Sequence, residues 1–250
     1  MSDSRNPFDS SDGDDRDNNP LANIPFRPKG ARSTMASQRP PNKPAPVPSA
    51  KRLPKVKPSK LRIIGGDKRG RGVLYHGDRT TRPMKESLRE ALFNIVGPSI
   101  KGRVAWDLFS GTGILAIESF SRGAVFAVAV ERSRTFAKTI RHSADAIEIA
   151  EDQVEVLMGD SFRVSPKRMV TVREEFLNTP WVAYFCPPYA LWTEQKEDMF
   201  ELIETTAKIA PPGSLIVTET DKFFDTETLP LGPWDVRPKG NMTLSFLETV

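Results

Sequence analysis

The chain has 250 residues with one cysteine, which excludes an internal disulfide framework and any multi-cysteine metal centre, and two histidines, which argue against a histidine-based one. Its longest wholly apolar run, Ala124 to Val130, is seven residues, far below the roughly 18 needed to span a bilayer. The net charge of +4 is unevenly placed: residues 1–17 carry net −4, 18–60 net +10, 61–103 net +6 and 104–250 net −8.

The acidic start Met1-Ser2-Asp3-Ser4 has no apolar segment of the kind a secretory signal requires. A soluble cytoplasmic protein with no membrane and no metal partner is the expectation, and a monomer the expected state. The basic stretch 18–103 beside an acidic body suits an arm that binds nucleic acid. For 18–60 alone, a solvated tail is the competing reading.

Residues 1–60 hold 11 of the 22 prolines and almost no aromatic or branched apolar residues, so a disordered tail is expected there. Residues 61–103 form a basic N-terminal extension. Short strands over Leu61 to Ile64 and Gly72 to Tyr75 are joined by the turn Gly65-Gly66-Asp67-Lys68-Arg69-Gly70-Arg71. Pro83 then opens a helix whose apolar stripe is Leu88, Ala91, Leu92, Ile95 and Val96, with Lys85, Arg89 and Glu90 on the other face. Residues 104–250 form the core, where strands and helices alternate. Strands are predicted at Val104–Leu108, Val125–Val130, Val154–Leu157, Val182–Phe185 and Leu215–Thr218, with a helix over Ile114 to Ser121. Apolar-rich stretches near Trp234–Val236 and Met242–Leu247 read as closing antiparallel strands. This order implies an α/β fold with a mostly parallel, doubly wound sheet and a ligand at the carboxyl ends of its strands.

The strand ends carry the chemistry. After the first core strand comes Asp107-Leu108-Phe109-Ser110-Gly111-Thr112-Gly113. Two glycines before a helix let a ligand approach the backbone, although a tight turn without ligand has the same pattern. Glu131 ends the second strand 20 residues after Gly111, a spacing at which an acid can accept from both ribose hydroxyls of a nucleoside. Asp160 and Ser161 end the third, where a carboxylate suits an adenine amine and either residue suits a helix cap. The fourth ends in Cys186-Pro187-Pro188-Tyr189. Two prolines remove two N–H donors and leave carbonyl acceptors, and an aromatic ring follows that can stack on a base or simply pack.

These motifs, in this order, resemble those of class I S-adenosylmethionine-dependent methyltransferases. The nearest subset has (Asp/Asn)-Pro-Pro-(Tyr/Phe) as its fourth motif and methylates exocyclic amines of nucleobases. Arg62-Ile63-Ile64-Gly65-Gly66-Asp67-Lys68-Arg69-Gly70-Arg71, Arg82-Pro83, Arg89-Glu90-Ala91-Leu92-Phe93-Asn94 and Ser121-Arg122-Gly123-Ala124 further resemble the RsmD family of 16S rRNA guanine-N2 methyltransferases. The resemblance covers about 61–250 and implies a Rossmann-like, seven-stranded fold. It implies S-adenosylmethionine as cofactor and small-subunit rRNA, or the assembling 30S subunit, as partner. Asp107, Phe109, Gly111 and Gly113 would hold the methionine part, Glu131 the ribose, and Asp160 with Ser161 the adenine. Tyr189 would stack on the guanine, and Lys68, Arg69, Arg71, Arg82 and Arg89 would meet RNA phosphates.

Position 186 departs from that pattern. Where the family has Asp or Asn beside the Pro187 carbonyl, this chain has a thiol, a weak acceptor. By analogy with other oriented polar groups the loss is ~10²–10³ in rate. A thiolate would accept better, but it needs a depressed pKa, and Lys196 is the one cation within ten residues of Cys186. A covalent, cytosine-type cysteine mechanism places its nucleophile after the proline, and here it precedes. Two alternatives therefore stand beside an active guanine-N2 enzyme: a catalytically weakened homologue acting as an rRNA-binding assembly factor, and an N6-adenine nucleic-acid methyltransferase.

Overall fold

Short β-rich runs buried on both faces pair only as inner strands of a covered sheet. Four such runs, a partly exposed edge run and two closing strands build a seven-stranded sheet in the computed structural model, which describes residues 59–75, 77, 83–177 and 179–250. The strands are β3 (Val104–Asp107), β4 (Phe126–Glu131), β5 (Val154–Met158), β6 (Trp181–Phe185), β7 (Leu215–Asp221), β8 (Asp235–Lys239) and β9 (Met242–Glu248). Their order is β5-β4-β3-β6-β7-β9-β8. The first five are parallel, and β9 is antiparallel to both β7 and β8. The sequence expectation of a mostly parallel sheet closed by two antiparallel strands holds. Strand order reverses between β4-β3 and β3-β6, which places the switch point, and hence a ligand crevice, at the carboxyl end of β3.

Helices α2 (Ile114–Ser121) and α3 (Arg134–Asp145) cover one face of the sheet together with α1 (Glu86–Val96). The other face is covered by α4 (Ser161–Glu175) and α6 (Lys196–Ile209), and the short α5 (Leu191–Glu194) precedes α6. The hairpin β1 (Ser59–Arg62) and β2 (Gly72–Tyr75) forms a separate two-stranded sheet. Ile63 and Val73, with Leu88, Leu92, Phe93 and Val96 of α1, are buried in the same cluster as Ala105 of β3 and Ala127 of β4. The tail expected over 1–60 lies outside the described residues except for Ser59 and Lys60, which pair with Tyr75 and Leu74.

Three local expectations are corrected. β1 spans Ser59–Arg62 rather than Leu61–Ile64: Ser59 and Lys60 pair with Tyr75 and Leu74, and Ile63 already belongs to the turn, where its N–H donates to the Arg71 carbonyl and its carbonyl accepts from the Gly70 N–H. Pro83 does not open α1. Lys85 is the N-cap residue, and its carbonyl accepts from the N–H groups of Leu88 and Arg89 at 3.0 and 2.9 Å.

The third concerns Arg89, which is 1% exposed rather than solvent-facing. Its Nε donates to Glu118 Oε2 at 2.8 Å and its Nη2 to the Arg62 carbonyl at 2.6 Å. Glu118 is wholly buried and takes Arg122 on its other oxygen, at 3.1 Å from Nε and 2.8 Å from Nη2. The Arg122 guanidinium also lies 4.5 Å from the centre of the Phe93 ring. A Cβ at Gly65 would stand 2.2 Å from its Cζ, and one at Gly66, where φ is +76°, would stand 1.7 Å from the Ser121 carbonyl oxygen. The paired glycines of the basic turn therefore admit the Arg122 side chain and the end of α2. The Ser121 hydroxyl completes the joint, donating to the Gly65 carbonyl at 2.7 Å and accepting from the Lys68 N–H at 2.9 Å. Arg89 fastens the extension to the core and is not available to RNA.

Candidate active site

The carboxyl ends of β3, β4, β5, β6 and β7 open into one cleft of about 1140 Å³. Its walls include Asp107, Phe109, Gly111, Glu131, Asp160, Ser161, Cys186, Pro187, Pro188 and Tyr189. Residues up to 82 positions apart in the chain thus meet at one edge of the sheet, as the sequence reading required.

The loop after β3 is built by its glycines and by Glu131. Gly111 and Gly113 have φ of +55° and +72°, a region that side chains disfavour. Gly113 also packs against α3, since a Cβ there would lie 2.5 Å from Ile140 Cγ2. Glu131 is 8% exposed; its Oε2 accepts from the Gly111 N–H at 2.9 Å and its Oε1 from the Ser133 N–H at 2.7 Å. The acid that the spacing marked for a ribose also ties the turn after β4 to the glycine loop.

Asp107 is 1% exposed, with the Ala116 N–H directed at Oδ2 at 3.4 Å. Burial, only partly offset by that backbone N–H and reinforced by the Glu131 charge, pushes its carboxyl up to about 7. Asp160 is exposed and caps α4, accepting from the Phe162 N–H at 3.0 Å. The Ser161 hydroxyl lies 2.9 Å from that of Ser165 and so is engaged within its own helix. The Phe109 ring packs edge-on against Phe162 with centres 5.6 Å apart, forming an apolar wall.

On the β6 side, Pro187 is buried, Pro188 exposed and Cys186 half-buried. Burial, with the charges of Glu219 and Asp107 nearby, pushes the Cys186 thiol well above its usual range, so the neutral thiol faces the cleft at pH 7. That removes the thiolate as an acceptor. The Tyr189 hydroxyl donates to Glu219 Oε1 at 2.8 Å. Glu219 is 7% exposed and lines the cleft with Asn241 and Met242. None of these three stood out in the sequence, where β7 was expected to end at Thr218. The polar run Thr218–Asp221 after Leu215–Val217 was the available signal.

Lys85, Arg132 and Lys222 line this cleft, whereas Lys68, Arg69, Arg71 and Arg89, the described residues expected to meet RNA, do not. Lys68, Arg69 and Arg71 belong to a turn hydrogen-bonded to Ser121, at the opposite end of α2 from Gly113, and α2 is ~12 Å long. Lys68 is half-buried, Arg69 exposed, and Arg71 donates to the Ala146 carbonyl at 3.0 Å. Arg82 lies outside the described residues.

Comparison with known proteins agrees with the motifs. The Bacillus subtilis candidate rRNA methyltransferase YlbH is 27% identical over 173 residues, covering 65% of this chain and 94% of that protein. The ribosomal RNA small subunit methyltransferase D of Buchnera aphidicola is 28% identical over 134 residues, 53% of this chain and 65% of that relative. The Escherichia coli protein of the same name is 36% identical over 80 residues, 32% of this chain and 40% of its own length. Among solved structures, a hypothetical protein of Thermus thermophilus aligns with a TM-score of 0.59 and 24% identity, over 75% of this chain and 99% of that one. The T. thermophilus 16S rRNA guanine-N2 methyltransferase RsmC, solved with S-adenosylmethionine and guanosine, aligns with a TM-score of 0.55 and 18% identity, over 78% of this chain and 50% of that one. Both likenesses show the Rossmann-like fold. The family model described as conserved hypothetical protein 95 matches residues 61–247, and the chain belongs to that family.

Proposed function

We propose that this chain transfers a methyl group from S-adenosylmethionine to the N2 amine of a guanine in small-subunit rRNA. The observation that carries this reading is the convergence of Asp107, Glu131 and the 186–189 motif on one cleft at the switch point of the sheet. The names of the relatives supply the substrate class. An rRNA substrate puts the work in the cytoplasm, on naked rRNA or the assembling 30S subunit, and one chain holds every element of the cleft, so a monomer suffices.

The residues present fit this cofactor. Asp107 is buried among backbone N–H groups, Ser110 and the Glu131 carboxylate, an environment that a cation would complement, and the cofactor carries an ammonium and a sulfonium. Glu131 would take the ribose hydroxyls, Asp160 the adenine, and Phe109 the apolar edge. When bound, the cofactor supplies an activated methyl group. The chain's own part is to hold the amine in line with it, accept a hydrogen bond from the amine N–H at the Pro187 carbonyl, and stack the base on Tyr189. Lys68, Arg69 and Arg71 would meet phosphates of a folded RNA that extends past the cleft, and Arg82 would be a further phosphate contact.

The neutral Cys186 thiol favours a second reading, an rRNA-binding assembly factor of reduced activity. Incubation with labelled S-adenosylmethionine and unmodified small-subunit rRNA, alone or assembled into subunits, separates the two. Label entering rRNA in stoichiometric amount supports the enzyme; tight RNA binding with no label supports the assembly factor.

Two further outcomes are expected. A bound cation favours ionised Asp107, so binding releases a proton below pH 7. Cofactor affinity should therefore rise roughly tenfold from pH 5.5 to 7, and calorimetry should show that dependence flattened in Asp107→Asn. Replacing Lys68, Arg69 and Arg71 together by alanine should flatten the plot of log affinity against log salt by roughly 2–3 units. An unchanged slope would remove the turn from the RNA footprint.

A further inference from the structure

The basic turn stands away from the cleft, and α3 runs between them. Arg132, Ser133 and Thr135 line the cleft where α3 begins. At the other end of the helix, Arg71 of the turn donates to the Ala146 carbonyl at 3.0 Å, and the Leu74 N–H of β2 donates to the Ser143 hydroxyl at 3.1 Å. Between these points α3 spans 12 residues, or ~18 Å. Its buried side is Ala137, Ile140, Ser143 and Ala144. Its outer side carries Arg134, Lys138 and His142, all exposed. They recur at every fourth residue and so form one row, with a rise of ~6 Å between neighbours. Residues 132–144 hold four Lys/Arg and no Asp or Glu, within a core (104–250) of net charge −8. Arg141 serves the fold, donating to Asp145 and the Val154 carbonyl at 2.9 and 2.8 Å and to the Ile149 carbonyl. Among the described residues, Arg134 and Lys138 have no carboxylate partner of this kind.

We propose that the exposed row Arg134, Lys138 and His142, opening at the cleft beside Arg132, is a phosphate-binding track that carries single-stranded RNA from the cleft to the basic turn. The proposal rests on the rRNA reading above and names where that RNA leaves the cleft. A nucleotide held in the cleft is joined to neighbours on both sides, so the strand must cross the cleft's rim. The α3 end of the rim is basic and continues as a basic row. Charged surfaces of this kind follow a nucleic-acid backbone without reading its sequence. The rise along the row is comparable to the separation of successive phosphates in an extended strand, so each member can serve one phosphate. Arg134 and Lys138 neutralise theirs and release counterions, and the His142 imidazole donates an N–H. An acidic protein surface is the other polyanion that could match the row. Continuity with a cleft that takes a nucleobase favours RNA.

The test measures binding of the full chain to unmodified small-subunit rRNA over a salt series, with S-adenosylhomocysteine calorimetry on the same proteins. Arg134→Ala with Lys138→Ala removes two exposed cations. At ~0.7 per phosphate for a single strand, it is expected to flatten the plot of log affinity against log salt by roughly 1.4 units. Arg134→Glu with Lys138→Glu is expected to weaken RNA binding at least about tenfold at low salt, with S-adenosylhomocysteine affinity within about twofold. Lys167→Ala with Lys208→Ala takes the same charge from exposed positions of α4 and α6, on the other face of the sheet. It is expected to change the slope by less than about half a unit. A slope unchanged by the α3 pair, or flattened as much by the α4–α6 pair, overturns the proposal. A loss seen with assembled subunits while naked rRNA binds as to wild type gives the row to an acidic protein surface, and also overturns it. Wild-type protein that binds no rRNA defeats the rRNA reading and the track with it. Wild-type binding that is indifferent to the α3 pair defeats the track alone.

Discussion

Replacing Glu118 by alanine is expected to destabilise the protein by about 3–5 kcal/mol, because it leaves two arginines in the interior without their shared carboxylate. Arg89 is 1% exposed and Arg122 is 22% exposed at its side chain, and both donate to Glu118, which is fully buried. Burial raises the Glu118 carboxyl above its usual range even though Arg122 and Arg89 pull it down, so desolvation outweighs the attraction. The cluster then contributes less by net electrostatics than by forbidding any arrangement in which one member is missing. Urea unfolding checks this. A loss below about 1 kcal/mol would show that the arginines find water or other partners. Adding Arg89→Ala to Glu118→Ala should cost less than Arg89→Ala costs alone, since the two share one interaction.

The second large effect is at Glu131. Two hydrogen bonds from ribose hydroxyls to a charged acceptor, at about 1.5–3 kcal/mol each before offsets, would be lost in Glu131→Ala. The same substitution releases the N–H groups of Gly111 and Ser133, which Glu131 holds at 2.9 and 2.7 Å. A fall in cofactor affinity of ~10- to 100-fold is expected, with the melting temperature of the cofactor-free protein changed far less than in Glu118→Ala. Unchanged affinity in a folded variant would take Glu131 out of the site.

The core and its cleft were legible because both depend on local signals. Apolar runs of strand length separated by amphipathic helices give the sheet. A doubly wound sheet has its ligand edge at the carboxyl ends, and Asp107, Glu131, Asp160 and Cys186 lie at or just beyond four of them. What escaped was each feature created by two distant segments. Arg89 follows Leu88 on a helix and reads as surface until α2 is laid beside it. The buried set on α1 is Leu88, Arg89, Leu92, Phe93 and Val96, one position rotated from the stripe that periodicity suggested. The signal for that rotation was Glu118, the one charged residue of the helix Ile114–Ser121. The basic turn reads as an RNA contact from its charge and from the family resemblance. Its paired glycines have a packing reason in Arg122, which charge counting does not detect. Glu219 escaped because strand ends are the least determined part of a sequence reading, and β7 runs three residues further than the Thr218 at which it was expected to end.

The most direct measurement is the identity of the methylated nucleoside. Unmodified small-subunit rRNA, incubated with the protein and S-adenosylmethionine and then digested to nucleosides, should yield N2-methylguanosine by mass spectrometry, at about one per rRNA. N6-methyladenosine, or no methylated nucleoside from protein that binds both cofactor and rRNA, would contradict the guanine-N2 assignment.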